Sequence, residues 1–241
     1  MKILLAPSES KNEGGNKQFC LENLSFNDEL GKLRSELWDK YLGVFKSGDE
    51  SKICALTGLK EPRILDFSKA MSAISRYSGV AYDYLDFSSL DEKARAYLDD
   101  NLLIFSNLFG VLKPSDEVPN YKLKQGAKCA GIDTAKFYQK KLSEFLDKYL
   151  ADDEILDIRA EFYNKFYTPK HDFFTLKFFK NGKVVSHFAK AYRGRILRYL
   201  AQNSCKSFDE FLALKIPELK LLDIQKIQNK TTYNFEIISQ N

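Results

Sequence analysis

The chain has 241 residues, of which 44% are hydrophobic and 29% charged, with a formal net charge of +4. That is enough material for one large core, and too little net charge to announce a nucleic-acid partner by itself. No apolar run approaches the roughly 20 residues of a membrane helix, and the start MKILLAP is too short for a secretion signal, so a cytoplasmic protein without membrane contact is expected.

Lys2 to Pro7, KILLAP, reads as a buried strand that proline stops and that empties into the polar loop SESKNEGGNK. The loop matches neither glycine-rich nucleotide pattern. Leu30, Leu33, Leu37, Trp38, Tyr41, Leu42 and Phe45 recur at helical spacing and predict an amphipathic helix from Asn27 to Phe45. A second helix is predicted from Leu90 to Leu98, with Ser89 and Glu92 as a reciprocal capping pair. NLLIFSNLFGVLKPSD follows as an apolar run ended by Gly110 and Pro114, and its periodicity fits a buried strand or a short helix equally. Asp133 to Leu150 is helical by its apolar spacing, and EILDIRA after it reads as another buried strand. Alternation on both sides of Asn181-Gly182 predicts an antiparallel hairpin over 173–189, because both turn residues tolerate positive φ. A basic helix, HFAKAYRGRILRYLAQN, comes next; Ser207 and Glu210 then open a short helix, and TTYNFEII ends the chain as a strand. No repeat or linker interrupts the pattern, so a single mixed α/β domain over residues 1–241 is expected.

The charge is unevenly placed. From Arg159 to Lys206 there are 11 Lys or Arg against Glu161 and Asp172, a local balance of +9 that leaves −5 for the rest. On the basic helix, at about 100° per residue, Lys190, Arg195 and Arg198 share a side with Gly194, Ala191 and Ala201, while Tyr192, Ile196, Tyr199 and Leu200 form the core face and Arg193 lies at the border. Small residues among cations leave room for a phosphate or carboxylate to reach the backbone, although a solvated face is the alternative. Arg76, Tyr77, Gly79 and Tyr82 form a compact ring-rich group that fits a cleft or ordinary packing. In DIRAEFYNK, a continuing strand would put Asp157, Arg159, Glu161, Tyr163 and Lys165 on one face. Glu9, Asp157 and Glu161 are the candidate acids or bases, Glu9 and Glu161 foremost. Cys20, Cys54, Cys129 and Cys205 make no CxxC pair, and His171 and His187 have no companion at metal spacing, so neither metal nor cofactor is expected.

LLAPSESK, RYSGVAYDYLD, FSNLFGVLKPSDEVPNYKLKQG, DIRAEFY and HFAKAYRGRILRYL stand in the order found in the YaaA family of bacterial peroxide-stress proteins, which the chain resembles over essentially its whole length. The resemblance implies a single mixed α/β domain with a helix-hairpin-helix-like element. It also implies protection against peroxide by limiting free iron, and DNA binding through a basic cleft. Matched by motif, its site residues are Ser8, Glu9 and Lys11; Arg76, Tyr77, Gly79 and Tyr82; Arg159, Tyr163 and Lys165; and Lys190, Arg193, Gly194 and Arg198. Two readings follow. In one, these cations, with Arg195, hold the DNA backbone by shape rather than sequence. In the other, Glu9, Arg76, Glu161 and Lys190 surround one pocket for a small anionic or nucleobase-like substrate.

Overall fold

A computed structural model of the chain describes residues 1–63 and 65–238, excepting the side chains of Ser186 and His187; the expectation for His187 therefore lies outside the described residues. The elements run as β1 (Lys2–Leu5), β2 (Lys17–Gln18), α1 (Asn27–Lys46), α2 (Glu50–Thr57), β3 (Lys69–Ser72), α3 (Ala73–Arg76), α4 (Val80–Leu85) and α5 (Glu92–Asn101). They continue as β4 (Leu102–Ser106), β5 (Gly110–Leu112), β6 (Glu117–Pro119), β7 (Lys128–Cys129), β8 (Ile132–Asp133), α6 (Thr134–Tyr149) and β9 (Ile155–Asp157). The C-terminal part contains β10 (Phe173–Lys180), β11 (Lys183–Val184), α7 (Ser186–Asn203), α8 (Phe208–Ala213), β12 (Leu219–Ile227) and β13 (Lys230–Ile237).

The main sheet has the order β12-β13-β10-β9-β1-β4-β5, with β11 as a short extra partner of β10. β1 lies parallel to both β4 and β9, and β10 parallel to β9 and β13, while β5 and β12 are antiparallel edges. Parallel strands covered on both faces carry continuous apolar runs. KILL and LLIFS are such runs, and Ile3, Leu4, Leu103, Ile104 and Phe105 are all buried. The ambiguous run from Asn101 therefore resolves into β4, a tight turn and antiparallel β5. Gly110, at φ 76, begins β5 where a side chain would press on the Tyr138 ring of α6.

Three expectations need correction. The cap of α5 is Asp91, whose carboxylate accepts from the Ala94 N–H, while Ser89 instead donates to Asp86. A carboxylate two residues nearer the free N–H groups serves that end better. In DIRAEFYNK the strand stops at Asp157, and Glu161–Lys165 coil into a 3-10 turn, so the five polar residues share no sheet face. The hairpin turns at Asn181-Gly182 as expected, but its second strand is only Lys183–Val184 because α7 begins at Ser186.

Helix α7 is buried on two sides. Tyr192 stacks on Phe178 of β10 with ring centroids 5.4 Å apart, and Ile196 and Leu200 are fully enclosed. On the other side Gly194 meets α4 so closely that an added Cβ would lie 2.0 Å from the Ala81 carbonyl oxygen. The small residues of this helix serve helix packing. The opening that sequence suggested for an anion is filled by α4 backbone.

Candidate functional site at the ends of the parallel strands

β1, β4 and β9 are adjacent and parallel, so their C-terminal ends release three chain segments at one edge of the sheet, where such folds gather ligand-facing groups. After β1 the segment Ser8–Asn12 lies along Tyr77. Lys11 pairs with Tyr77 as an antiparallel bridge, Ser78 N–H donates to Ser10 O at 3.1 Å, and Asn12 N–H donates to Arg76 O at 2.8 Å. Tyr82 OH donates to Ala6 O at 3.0 Å. Gly79 joins α3 to α4 at φ 103, a conformation that favours glycine, and its missing Cβ leaves room for Ser8 Oγ.

Arg76 holds this loop from beneath. Its guanidinium is fully buried and donates to the carbonyls of Asn12, Gly14, Lys69 and Val118. Burial depresses its pKa, and the charge of Glu117 opposes that depression. With four of its five N–H donors given to carbonyls, this guanidinium positions the loop and offers an anion no paired fork of free donors.

Above it runs a chain of hydroxyls. Tyr121 OH is 2.7 Å from Tyr77 OH and 2.8 Å from Ser106 Oγ, at the end of β4. Burial raises the Tyr121 pKa to about 12, and the Tyr77, Tyr82 and Tyr163 phenols well above the ordinary value. These phenols are neutral donors at physiological pH. Burial is the main cause for Tyr163, with Tyr121 and Glu9 adding to the rise and Asn107 opposing it, which ties the 3-10 turn after β9 to the same group. Asn107 Oδ1 is buried without a hydrogen-bond partner among the described residues. Glu9 Oε1 accepts from Gln125 N–H at 2.9 Å, and the Glu9 carbonyl accepts from Lys122 Nζ at 3.3 Å.

Lys11 lies inside this group, packed on its rings. Its Nζ donates to Ser8 O at 3.1 Å and sits over the Tyr121 ring, 4.1 Å from the centroid, with Tyr77 at 5.2 Å. Desolvation, then the neighbouring charge of Lys122, lowers its pKa from 10.5 to about 7, against the opposing pull of Glu9. Beside it opens a cavity of about 520 Å³ whose wall includes Lys11, Lys122, Asn120, Lys69, Arg63 and Glu13.

The predicted residues divide into two sets. Ser8, Glu9, Lys11, Tyr77, Gly79, Tyr82 and Tyr163 meet at this edge, with Arg76 beneath. The remaining cations do not join them as ligand contacts. Arg159 is buried, paired with Asp157 at 2.6 Å, and donates to the carbonyls of Tyr163 and Tyr167 beneath the Phe105 ring. Arg198 donates to the Leu85 and Asp86 carbonyls at the C-terminus of α4 and to Ser89 Oγ. Arg195 pairs with Glu218 at 3.1 Å and packs on Tyr84 and Tyr192. Arg193 faces the charges of Asp157 and Glu161, which oppose the lowering of its pKa by burial, and it makes no hydrogen bond among the described residues. Lys165, over the Phe162 ring at 5.1 Å, Lys190 and Glu161 are exposed.

Sequence reasoning passed over Ser106, Asn107, Asn120 and Lys122 as site residues. The available signal was the polar Ser-Asn pair directly after the apolar run LLIF, since polar residues at the end of a buried strand mark the edge where loops carry function.

The family model described as "Peroxide stress protein YaaA" matches residues 1–223. An uncharacterized protein of Campylobacter jejuni is 47% identical over 232 residues, covering 93% of this chain and 94% of its own. A UPF0246 protein of Corynebacterium glutamicum is 35% identical over 217 residues, covering 83% of this chain and 85% of its own. A UPF0246 protein of Streptomyces coelicolor is 30% identical over 215 residues, with 83% and 82% covered.

Proposed function

The chain belongs to the peroxide stress protein YaaA family, and from that premise we propose that it protects cells against peroxide by binding DNA through the phosphate backbone and by limiting free intracellular iron. The observation that carries the DNA reading is at the β10–β11 hairpin. Lys180 and Lys183 stand directly opposite each other in the antiparallel pair, and like charges so placed repel. Neither makes an ion pair among the described residues, unlike Arg159, Arg195 and Arg198, and Lys180 Nζ lies over the Phe188 ring, 4.5 Å from its centroid. A polyanion lying over the hairpin relieves that repulsion. The helix-hairpin-helix-like element of the resemblance is assigned, within this proposal, to α3, Gly79 and α4.

The test is duplex binding across a salt series. Each phosphate neutralised contributes about −0.9 to the slope of log affinity against log salt. A flat response removes the DNA reading. For the iron role, spin-resonance measurement of free iron in peroxide-treated cells lacking the protein should show a rise; an unchanged iron signal removes that part.

A second reading, an enzyme acting on a small anionic or nucleobase-like substrate, is favoured by the cavity beside Lys11. Of the four residues expected around one pocket, Arg76 gives its donors to carbonyls and Glu161 and Lys190 are exposed; in this reading the cavity is lined by Lys11, Lys122 and Asn120 instead.

A further inference from the structure

We propose that the cavity beside the first loop binds a small anionic carbonyl compound, an α-oxo acid or a phosphorylated aldehyde, which Lys11 holds as an imine. The inference rests on the small-ligand reading and is independent of DNA binding.

Three observations carry it. Lys11 lines the cavity, and no carboxylate lies within ion-pair distance of its amine among the described residues; the amine has only the Ser8 carbonyl at 3.1 Å and the Tyr121 ring as near partners. A lysine kept for charge alone is found with an acid or in water. The cavity wall is also basic. Lys11, Lys122, Arg63 and Lys69 line it against Glu13 and Asp66, with Lys69 3.8 Å from Asp66, and the excess of cations suits a carboxylate or phosphate. Finally, Asn120 lines the same cavity, and its Oδ1 is buried and without a partner among the described residues. A buried acceptor left open costs roughly 1–3 kcal/mol unless a donor reaches it. A rotation of the Asn120 amide toward the cavity presents this oxygen to the hydroxyl of a carbinolamine, which is such a donor.

The chemistry needs no further reactant. The Lys11 nitrogen lone pair adds to the carbonyl carbon, and the carbonyl oxygen takes a proton to give the carbinolamine. That oxygen then leaves as water with the second amine hydrogen, and the nitrogen–carbon double bond forms. Burial supports this by leaving about half of the amine neutral near pH 7, the form a nucleophile must have.

The experiment incubates the full chain with pyruvate or with glyceraldehyde 3-phosphate and sodium cyanoborohydride, followed by intact mass and peptide mapping. One adduct per chain on the Lys11 peptide is expected, with a rate that rises as pH passes about 7. The better of the two probes shows whether the wall prefers carboxylate or phosphate. Lys122→Gln should slow trapping about tenfold with an unchanged melting curve, the loss of one charge-assisted contact. No adduct, an adduct spread over surface lysines, or the same adduct in Lys11→Met overturns the proposal. Wild-type mapping decides the matter even if Lys11→Met does not fold. Calorimetric titration without reductant separates the two levels. Binding without trapping overturns the imine and leaves the small-ligand reading standing, whereas neither binding nor trapping removes both.

Discussion

The first loop and the basic helix carry similar residues to opposite ends. Helix α7 has four cations within nine positions, and its two outer arginines are tied to protein: Arg195 to Glu218, and Arg198 to the carbonyls ending α4. Their charge stabilises the helix seam, since a cation at a helix C-terminus satisfies free carbonyls and the dipole together. The first loop has one inward cation, Lys11, and it has been given a ring, a carbonyl and a cavity in place of a counter-ion. The density of positive charge along the chain is therefore a poor guide to where positive charge is available to a ligand.

The contrast can be broken most severely at the seam itself. Gly194→Val places a branched side chain against the Ala81 carbonyl, and the resulting overpacking should destabilise the protein by about 3 kcal/mol or more in urea unfolding. Survival of full stability would mean that α7 does not pack on α4 as described. Next comes Arg76→Met, which leaves one buried and three partly buried carbonyls short of a donor and should cost about 3 kcal/mol while loosening residues 12–14 to proteolysis. A loss of ligand affinity with unchanged stability would instead make Arg76 a binding residue.

Lys11 adds a pH signature of comparable size. Its folded pKa, about 7, lies below the unfolded value of 10.5, so the unfolded chain holds more protons between them and stability rises with pH over that window. The gain from pH 7 to 9.5 should be on the order of 3 kcal/mol, and Lys11→Met should flatten it. Above about pH 10 the sign reverses, because the unfolded tyrosines lose protons that Tyr77, Tyr82 and Tyr163 retain when folded. A wild-type profile flat from pH 7 to 9.5 would contradict the buried amine. The smallest effect is at the hairpin, where Lys183→Gln removes a like-charge pair and should stabilise the fold by about 0.5 kcal/mol, read as a small rise in the urea midpoint.

Much of the framework was legible in sequence because it follows from period and composition. The Leu30 to Phe45 stripe became α1, KILL and EILD became adjacent buried strands, and Asn-Gly turned the hairpin. Local signals failed where a tertiary partner decided the outcome. Gly194 was open to an anion on a helical wheel, which contains no α4; Arg159 and Arg76 were free cations in a string of letters, which contains no carbonyls. β12 was missed as well: every residue of LKLLDIQKI after the first is exposed, so pairing with β13, rather than burial, makes it a strand. At the site, the groups brought by the ends of β4 and β9 lie more than 90 residues along the chain from those after β1, and only the parallel pairing places Ser106 and Asn107 beside the first loop.

The central claim is that partners, not sequence density, decide which cations meet DNA, and one paired measurement tests it. Duplex affinity is measured from low to high salt for Lys180→Gln/Lys183→Gln and for Arg195→Gln/Arg198→Gln. The lysine pair should lower affinity and make the log–log slope shallower by about 1.8, two phosphate contacts, while the arginine pair should keep the wild-type slope. The reverse, an unchanged slope without the lysines and a shallower one without the arginines, would contradict the account.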